Sequence, residues 1–106
     1  MGGLDEAFAA LSDPTRRRVL RLVASRPRPA GQIAEAFPVS RPAVSKHLRV
    51  LREAGLVEVD RVGRTRMYRL RPGGIAEARR WMNEAERFWD RALDAFRRRV
   101  EEEVDS

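Results

Sequence analysis

The chain has 106 residues, 42% of them hydrophobic, which is enough for one small domain with a single core. It contains no cysteine and only one histidine, His47, which excludes disulfides, thiolate metal sites, cysteine nucleophiles and a histidine-based catalytic cluster. The net charge of +6 is concentrated between positions 13 and 71, where 15 Lys and Arg stand against 5 Asp and Glu, a local +10 that favours a polyanionic partner.

Two short helices are predicted at the start of the chain. In positions 4–11, LDEAFAAL, apolar residues recur at helical spacing and form one face. That face contains Leu4, Phe8 and Leu11. A second helix is predicted over about 14–25, because Asp13 can cap it and Pro14 suits the first helical position. The RPRP segment at 26–29 ends this helix, since proline cannot continue it.

A helix-turn-helix is predicted next. A third helix covers about 30–37 and, after three residues, a fourth covers 41–54. Ser40 supplies a hydroxyl that can cap the fourth helix, and Gly55 supplies the permissive backbone that ends it. Two helices joined by so short a turn are typical of the helix-turn-helix, although ordinary helical hairpins share this outline.

The fourth helix carries two different faces. Projected at about 100° per residue, Val44, Leu48 and Leu51 fall on one side, which is typical of a packed core. His47 falls on that side too and is interpreted as a structural residue. The opposite arc is rich in hydrogen-bond donors. It contains Arg41, Pro42, Ser45, Lys46, Arg49, Arg52 and Glu53. An arginine guanidinium can donate two hydrogen bonds to the edge of guanine, and an α-helix fits the major groove. This face is therefore interpreted as a surface that reads DNA sequence.

A basic β-hairpin is expected beyond Gly55. There the hydrophobic period changes from 3.6 to 2, which predicts short strands in LVEVDR and RMYRLR. The intervening VGRT supplies a glycine turn with Gly63 at its tip.

A long terminal helix is predicted after the RPGG segment at 71–74. Its apolar residues repeat at alternating steps of three and four, which is a heptad seam about three repeats long. The seam contains Ile75, Ala78, Met82, Ala85, Trp89, Ala92 and Phe96. Trp81, Phe88 and Leu93 widen the stripe beyond what one small domain covers, so a partner subunit is expected.

The element order, with the segments LSDPTRRRVLRLV and SRPAVSKHLRVLREAGLVEVDRVGRTRMYRL, resembles the ArsR family of bacterial winged-helix repressors over nearly the whole chain. The resemblance implies a homodimer, joined through its first and last helices, that binds an inverted repeat in promoter DNA and blocks transcription. It also implies roles for particular residues. Arg41, Pro42, Ser45 and Lys46 occupy recognition-helix positions, and Arg64 occupies the wing tip, where contacts go to the DNA backbone or minor groove.

The predicted fold is mainly α, a winged helix-turn-helix of about five helices with a two-stranded antiparallel hairpin. The predicted organisation is a single domain of residues 1–106, with the helix-turn-helix at 30–54, the wing at 56–71 and dimerisation helices at 4–11 and 75–103. The candidate DNA-binding residues are Ser40, Arg41, Pro42, Ser45, Lys46, Arg49, Arg52, Arg64 and Arg66. The candidate dimer-interface residues are Leu4, Phe8, Leu11, Met82, Ala85, Trp89, Ala92 and Phe96.

Two features depart from the family's pattern. Many members sense metals through a cysteine pair in the third helix or through histidines and carboxylates of the last helix. Here the third helix reads AGQIAEAF and the last helix has no histidine, so we expect no metal site and no cofactor. The family usually has glycine near the turn where this chain has Pro38, which predicts a slightly rearranged turn.

The predicted function is sequence-specific DNA binding by a homodimeric repressor. One alternative is a weakly specific architectural DNA-binding or protein-interaction module, and a solvated arginine-rich surface would also account for the charge. An enzyme built on Asp90 and Asp94 is not favoured, because surface pairs with nearby arginines are the simpler interpretation. The aromatic stripe is also compatible with a cavity for an unknown small-molecule effector, although a dimer core is more typical of it.

The expected location is the cytoplasm, with no membrane contact. No apolar run approaches the roughly 18 residues that a membrane span requires, and the start MGGLDEAFAA lacks the order of a signal peptide.

Overall fold

The computed structural model describes residues 3–105, which form five α-helices and three β-strands. In chain order these are α1 (Leu4–Leu11), α2 (Pro14–Ser25), β1 (Arg28–Pro29), α3 (Ala30–Glu35), α4 (Arg41–Glu53), β2 (Val57–Val62), β3 (Thr65–Leu70) and α5 (Ala76–Asp105). The prediction of a mainly helical fold with a β-hairpin after the fourth helix is confirmed. The chain divides into two compact units, one that ends at Ile75 and a second that begins at Ala76.

Side-chain caps start two of the helices where the sequence predicted them. The Asp13 carboxylate accepts a hydrogen bond from the backbone N–H of Arg16 at 3.0 Å, and Pro14 follows as the first residue of α2. The Ser40 hydroxyl accepts from the backbone N–H of Ala43 at 3.2 Å and starts α4. These bonds satisfy backbone donors that have no partner inside a helix.

The turn between α3 and α4 is longer than predicted. The third helix was expected to reach about residue 37, but α3 ends at Glu35, so five residues instead of three precede α4. The backbone N–H of Ala36 donates to the carbonyl of Ile33 at 3.1 Å, a tight closure that ends the helix. Pro38 explains the early end, because proline disfavours helical geometry in the residue before it.

The sheet has a strand that the sequence analysis did not predict. The strand order is β1-β3-β2, with all neighbours antiparallel, so the expected two-stranded hairpin is the larger part of a three-stranded sheet. The two-residue strand β1 lies in the RPRP segment and pairs Arg28 with Tyr68. Gly63 and Arg64 form the turn between β2 and β3, and Gly63 adopts a φ of +64°, a backbone conformation that glycine adopts without steric cost.

One apolar core holds the first unit together and fixes the orientation of α4. Its buried residues come from all four helices of this unit and from both hairpin strands. They are Ala7, Ala10, Val19, Val23, Ile33, Val44, Leu48, Leu51, Ala54, Leu56, Val57 and Tyr68. Since Val44, Leu48 and Leu51 are the buried residues of α4, the opposite face of this helix is left to solvent.

The terminal helix α5 is a single helix of 30 residues and extends two residues beyond its predicted end. It leaves many large apolar side chains exposed. These are Trp81, Met82, Phe88, Trp89, Leu93, Phe96, Val100 and Val104. Such a continuous apolar stripe is typical of a helix that packs against a partner. Among residues 3–105, no helix combines the length and apolar character that crossing a bilayer requires.

Candidate nucleic-acid interface

The solvent face of α4 carries a row of cations. Arg41, Lys46, Arg49 and Arg52 are all exposed, as are Ser45 and Pro42 between them. Within residues 3–105, none of the four cations forms an ion pair or a side-chain hydrogen bond. This agrees with the two faces predicted from the helical projection. The positive charge of the outer face is therefore available to an external anion.

A groove brings the middle of α4 and the strand β3 together. It has a volume of about 340 Å³, and its charged lining consists of Arg49 and Arg52 from α4 and Arg66 from β3. Ser45 also lines it, and Tyr68 and Leu48 form part of its base. Residues separated in the sequence thus meet on one surface, which combines hydrogen-bond donors from a helix with a cation from the hairpin.

The hairpin extends this basic surface. Arg64 is exposed in the two-residue turn and lines a second groove, of about 440 Å³, together with Arg66. Arg61 lies directly opposite Arg66 in the β2–β3 register. Arg61 was not among the residues predicted from the sequence. The alternation Val57, Val59, Arg61 was the available signal, because it places Arg61 on the same face of the sheet as the core residues.

The other face of the hairpin is charge-compensated. Arg69 contacts Glu58 and Asp60, each with a nitrogen–oxygen distance of 2.6 Å, and Arg71 lies 3.7 Å from Glu58. The hydrogen bond from Arg69 lowers the pKa of the Asp60 carboxyl and raises the pKa of Arg69 itself. The hairpin therefore has one face whose arginines are neutralised by carboxylates and one face, with Arg61 and Arg66, whose arginines are not.

A polar network on the inner side of α4 ties this helix to α1 and α2. The Arg16 guanidinium donates to the carbonyls of Ala10 and Ala9 at 2.9 and 3.0 Å, and it lies 3.3 Å from His47 Nδ1. Arginine has only donors, so His47 Nδ1 is the acceptor of the last contact. His47 thus lies on the inner side of α4 in a hydrogen-bonded position, as its structural interpretation predicted. The role of Arg16 was not predicted from the sequence.

The Asp13 carboxylate belongs to the same network. Its oxygen lies 3.9 Å from His47 Nδ1. The hydrogen bond from the Arg16 backbone N–H, together with attraction to the Arg16 guanidinium, holds the pKa of Asp13 below its ordinary value of 3.8, although desolvation acts in the opposite direction. The carboxylate is therefore charged at neutral pH, and it lies at the start of α2 beside the Arg16–His47 contact.

The candidate dimer residues differ in exposure between α1 and α5. In α1, Leu4, Phe8 and Leu11 are partly buried. In α5, Trp89 and Phe96 are 63% and 66% exposed. The remaining candidates in α5 are Met82 and Ala92, which are exposed, and Ala85, which is partly buried. No group of three or more His, Cys, Asp or Glu side chains within residues 3–105 is arranged to hold a metal ion.

Comparison with known proteins identifies the family. A family described as a helix-turn-helix domain matches residues 11–60, which run from the end of α1 into β2. The chain is 43% identical over 101 residues to the HTH-type transcriptional regulator Rv2034 of Mycobacterium tuberculosis, and the match covers 95% of this chain and 92% of that one. The solved structure of an ArsR-like transcriptional regulator from Rhodococcus sp. RHA1 superposes with a TM-score of 0.77 and 39% identity over 88% of each chain. The chain belongs to the ArsR family of transcriptional regulators.

Two further relatives give more detail about this ArsR family. The transcriptional repressor SdpR of Bacillus subtilis is 37% identical over 79 residues, which is 74% of this chain and 88% of that one. A domain of Mycobacterium bovis described as a homodimeric winged helix-turn-helix DNA-binding domain has a TM-score of 0.64 and 27% identity, and the match covers 77% of this chain and 76% of that one. The predicted winged helix-turn-helix fold is thus confirmed, with the third strand β1 as an addition to it.

Proposed function

We propose that this ArsR-family chain is a sequence-specific repressor that binds an inverted-repeat operator as a homodimer, with α4 in the major groove and the β2–β3 wing against the flanking backbone. One observation carries the proposal. Unpaired cations from α4 and from the wing, Arg49, Arg52 and Arg66, line the same groove. Several arginines without carboxylate partners on one surface repel one another, and a polyphosphate backbone offsets that repulsion.

Sequence reading is assigned to the first half of α4. Arg41, Pro42, Ser45 and Lys46 are exposed in its first two turns, and the N-terminal part of a recognition helix is the part that approaches base edges. The Arg41 guanidinium can donate two hydrogen bonds to guanine, and Ser45 can donate or accept. Ser40 is proposed to lie near the DNA backbone while its hydroxyl oxygen keeps its capping role.

Backbone contacts are assigned to the second half of α4 and to the wing. Arg49 and Arg52 lie farther along α4, and Arg64 and Arg66 are exposed on the hairpin. We add Arg61 to this group because it faces Arg66 across the strands. Arginine contacts to phosphate fix the register of a protein on DNA and carry no sequence information themselves.

Dimerisation is assigned mainly to α5. Exposed aromatic side chains such as Trp89 and Phe96 bury a large area in interfaces, and α5 presents them along one stripe. The residues proposed for this seam are Met82, Ala85, Trp89, Ala92 and Phe96. Leu4, Phe8 and Leu11 of α1 are proposed to contribute at its margin. The Mycobacterium bovis relative is described as homodimeric, which supports this assembly.

Repression follows from occupancy, since a dimer bound across a promoter excludes other proteins from the same DNA. The relative SdpR is a transcriptional repressor, which supports this direction of control. A transcription assay on a template that carries the selected operator tests it. Transcription should fall as the operator becomes occupied, and an increase would instead indicate an activator.

In vitro selection from a random duplex pool tests the proposed function. The wild-type protein should enrich an inverted repeat whose half-sites are about 34–36 Å apart, one helical turn. The complex should contain two chains per duplex by sedimentation. The Arg41→Ala protein serves as the matched comparison, because it should enrich a more degenerate half-site. A pool that binds without enrichment of any sequence would contradict the proposal and favour weakly specific architectural binding.

A further inference from the structure

We propose that a cavity between α2 and the base of the wing is a binding site for a small carboxylate with an apolar body. The cavity has a volume of about 310 Å³ and lies within the first unit. Ligand sites in proteins range from roughly 300 to 1,000 Å³, so this one suits a small molecule. The site is separate from the charged groove between α4 and β3.

Apolar side chains form most of the walls. Leu20 and Ala24 come from α2, Leu56 precedes β2, and Leu70 ends β3. Leu70 and Ile75 line the cavity although they are 41% and 53% exposed. An apolar ligand that covers these two side chains removes their surface from water, which is the main driving force for binding in such a pocket.

The wall formed by the turn after β3 is held in place by close backbone contacts of its glycines. Gly73 has a φ of +75°, and a Cβ atom on Gly74 would lie 2.8 Å from the carbonyl oxygen of Gly55. The Arg71 backbone N–H donates to the Leu56 carbonyl at 3.0 Å, and the Gly74 N–H donates to the Arg71 carbonyl at 3.0 Å. The turn after β3 is thus packed directly on Gly55 and Leu56, the residues that precede β2. The cavity is therefore preformed, and binding requires little ordering of the chain.

The charged residues of the cavity lining indicate which class of ligand it can bind. Apart from Arg21 and Arg71, the cavity is lined only by apolar side chains and by two glycines. Arg71 is paired with Glu58, whereas Arg21 has no hydrogen bond or ion pair among residues 3–105. The aliphatic stem of an arginine can line an apolar wall while its guanidinium stays at the rim. A ligand with one anionic end and an apolar remainder fits one free guanidinium above an apolar pocket.

Isoleucine methyl NMR locates binding without any involvement of DNA. The chain contains two isoleucines, Ile75 in the cavity wall and Ile33 in the core. Titration of the full chain with octanoate, below its micelle concentration, should give a saturable shift of the Ile75 methyl signal while the Ile33 signal stays fixed. Octan-1-ol, which has the same chain without the charge, should bind about threefold to tenfold more weakly. No saturable Ile75 shift, or equal binding of the acid and the alcohol, would overturn the proposal.

Three exposed positions on α2 supply the matched variants. Arg21→Gln should weaken octanoate binding about threefold to tenfold and remove its advantage over octan-1-ol, while Arg18→Gln, a loss of the same charge outside the cavity, should change neither. Ala24→Phe adds a ring toward the cavity and should weaken both ligands. Equal losses in Arg18→Gln and Arg21→Gln would indicate nonspecific attraction and overturn the site. The titration contains no DNA, so a failure to bind octanoate would leave the proposed DNA-binding function untouched. A failure of the DNA selection would likewise leave the octanoate site untouched.

Discussion

Arg61 and Arg66 lie directly opposite each other in the antiparallel register of β2 and β3, and neither has an ion pair within residues 3–105. Like charges at directly opposed positions destabilise a sheet. Glu58 opposite Arg69, three positions along the same hairpin and on its other face, shows the compensated alternative. The wing therefore keeps an unfavourable charge pair on one face, which a bound phosphate backbone would relieve.

The first prediction concerns this pair. Arg61→Gln should weaken binding to all DNA sequences similarly, because Arg61 is proposed to bind phosphate and not a base, while the thermal stability of the free protein should stay the same or rise. The logarithmic dependence of affinity on salt should become shallower by about one unit for each phosphate that is no longer bound, or about two per dimer. Fluorescence anisotropy at several salt concentrations measures both the affinity and its salt dependence, and a thermal melt measures the stability.

Arg98→Gln is the charge-matched control for this variant. Arg98 lies two residues after Phe96 in α5, about 200° around the helix and so away from the apolar stripe. Its loss should change the salt dependence little. If Arg61→Gln and Arg98→Gln change the affinity for DNA and its salt dependence equally, the total charge of the protein determines the affinity and the position of Arg61 in the wing does not.

The exposed face of α4 could be predicted from the sequence because burial follows helical periodicity. Val44, Leu48 and Leu51 are buried as projected, and this forces the donors of α4 outward. The strand alternation indicates the face on which Arg61 lies, but it leaves the hairpin register open, so the pairing of Arg61 with Arg66 could not be predicted. The assignment of individual residues to bases or phosphates stays a prediction.

The second prediction concerns the dimer. Trp89→Glu should give monomers in analytical ultracentrifugation, because it places a charge in the centre of the proposed seam on α5. Operator affinity should fall steeply, since each half-site would then be bound independently. The matched control is Arg91→Glu, an exposed position two residues away that points off the stripe. A Trp89→Glu protein that remains dimeric would place the seam elsewhere.

The third prediction concerns the cap of α2. Asp13→Ala should destabilise the protein by about 1 kcal/mol, which lowers Tm by roughly 4–8 °C at fixed protein concentration. Asp13→Asn should retain most of the stability at pH 7, because asparagine caps helices equally well.

The pH dependence of these variants follows from the lowered pKa of Asp13. A carboxyl whose pKa is lowered by folding stabilises the native state above its ordinary value of 3.8 and loses that contribution as the pH falls through the folded value. The Tm difference between the wild-type protein and Asp13→Ala should therefore narrow below about pH 4. A difference that is constant from pH 7 to pH 3 would contradict the role of the charged cap.

The helices were easier to predict than the strand β1, for a physical reason. Asp13, Ser40 and Gly55 act locally, so caps and ends are visible in the sequence; Gly55 has a φ of +76° just after α4. The segment Arg28–Pro29 becomes a strand only because it pairs with Tyr68 and Met67, some forty residues away. Contacts at that separation leave no periodic pattern in a two-residue segment.

The fourth prediction is that operator affinity does not respond to zinc. The chain has no cysteine and only one histidine, and its Nδ1 accepts a hydrogen bond from Arg16. Affinity measured with and without micromolar zinc at matched ionic strength should be unchanged. A reversible loss of more than tenfold would contradict this and require ligands supplied by carboxylates or by a second chain.

The most direct test of DNA reading by α4 compares Arg41→Ala with Arg64→Ala on a panel of single-base operator variants at several salt concentrations. Arg41→Ala should relax sequence preference at one position per half-site, since an arginine–guanine contact discriminates by about 1–3 kcal/mol. Arg64→Ala should weaken all sequences similarly and make the salt slope shallower by about two units per dimer. If Arg41→Ala lowers total affinity but leaves the relative preferences intact, α4 does not read the bases through Arg41, and the account of sequence-specific recognition is contradicted.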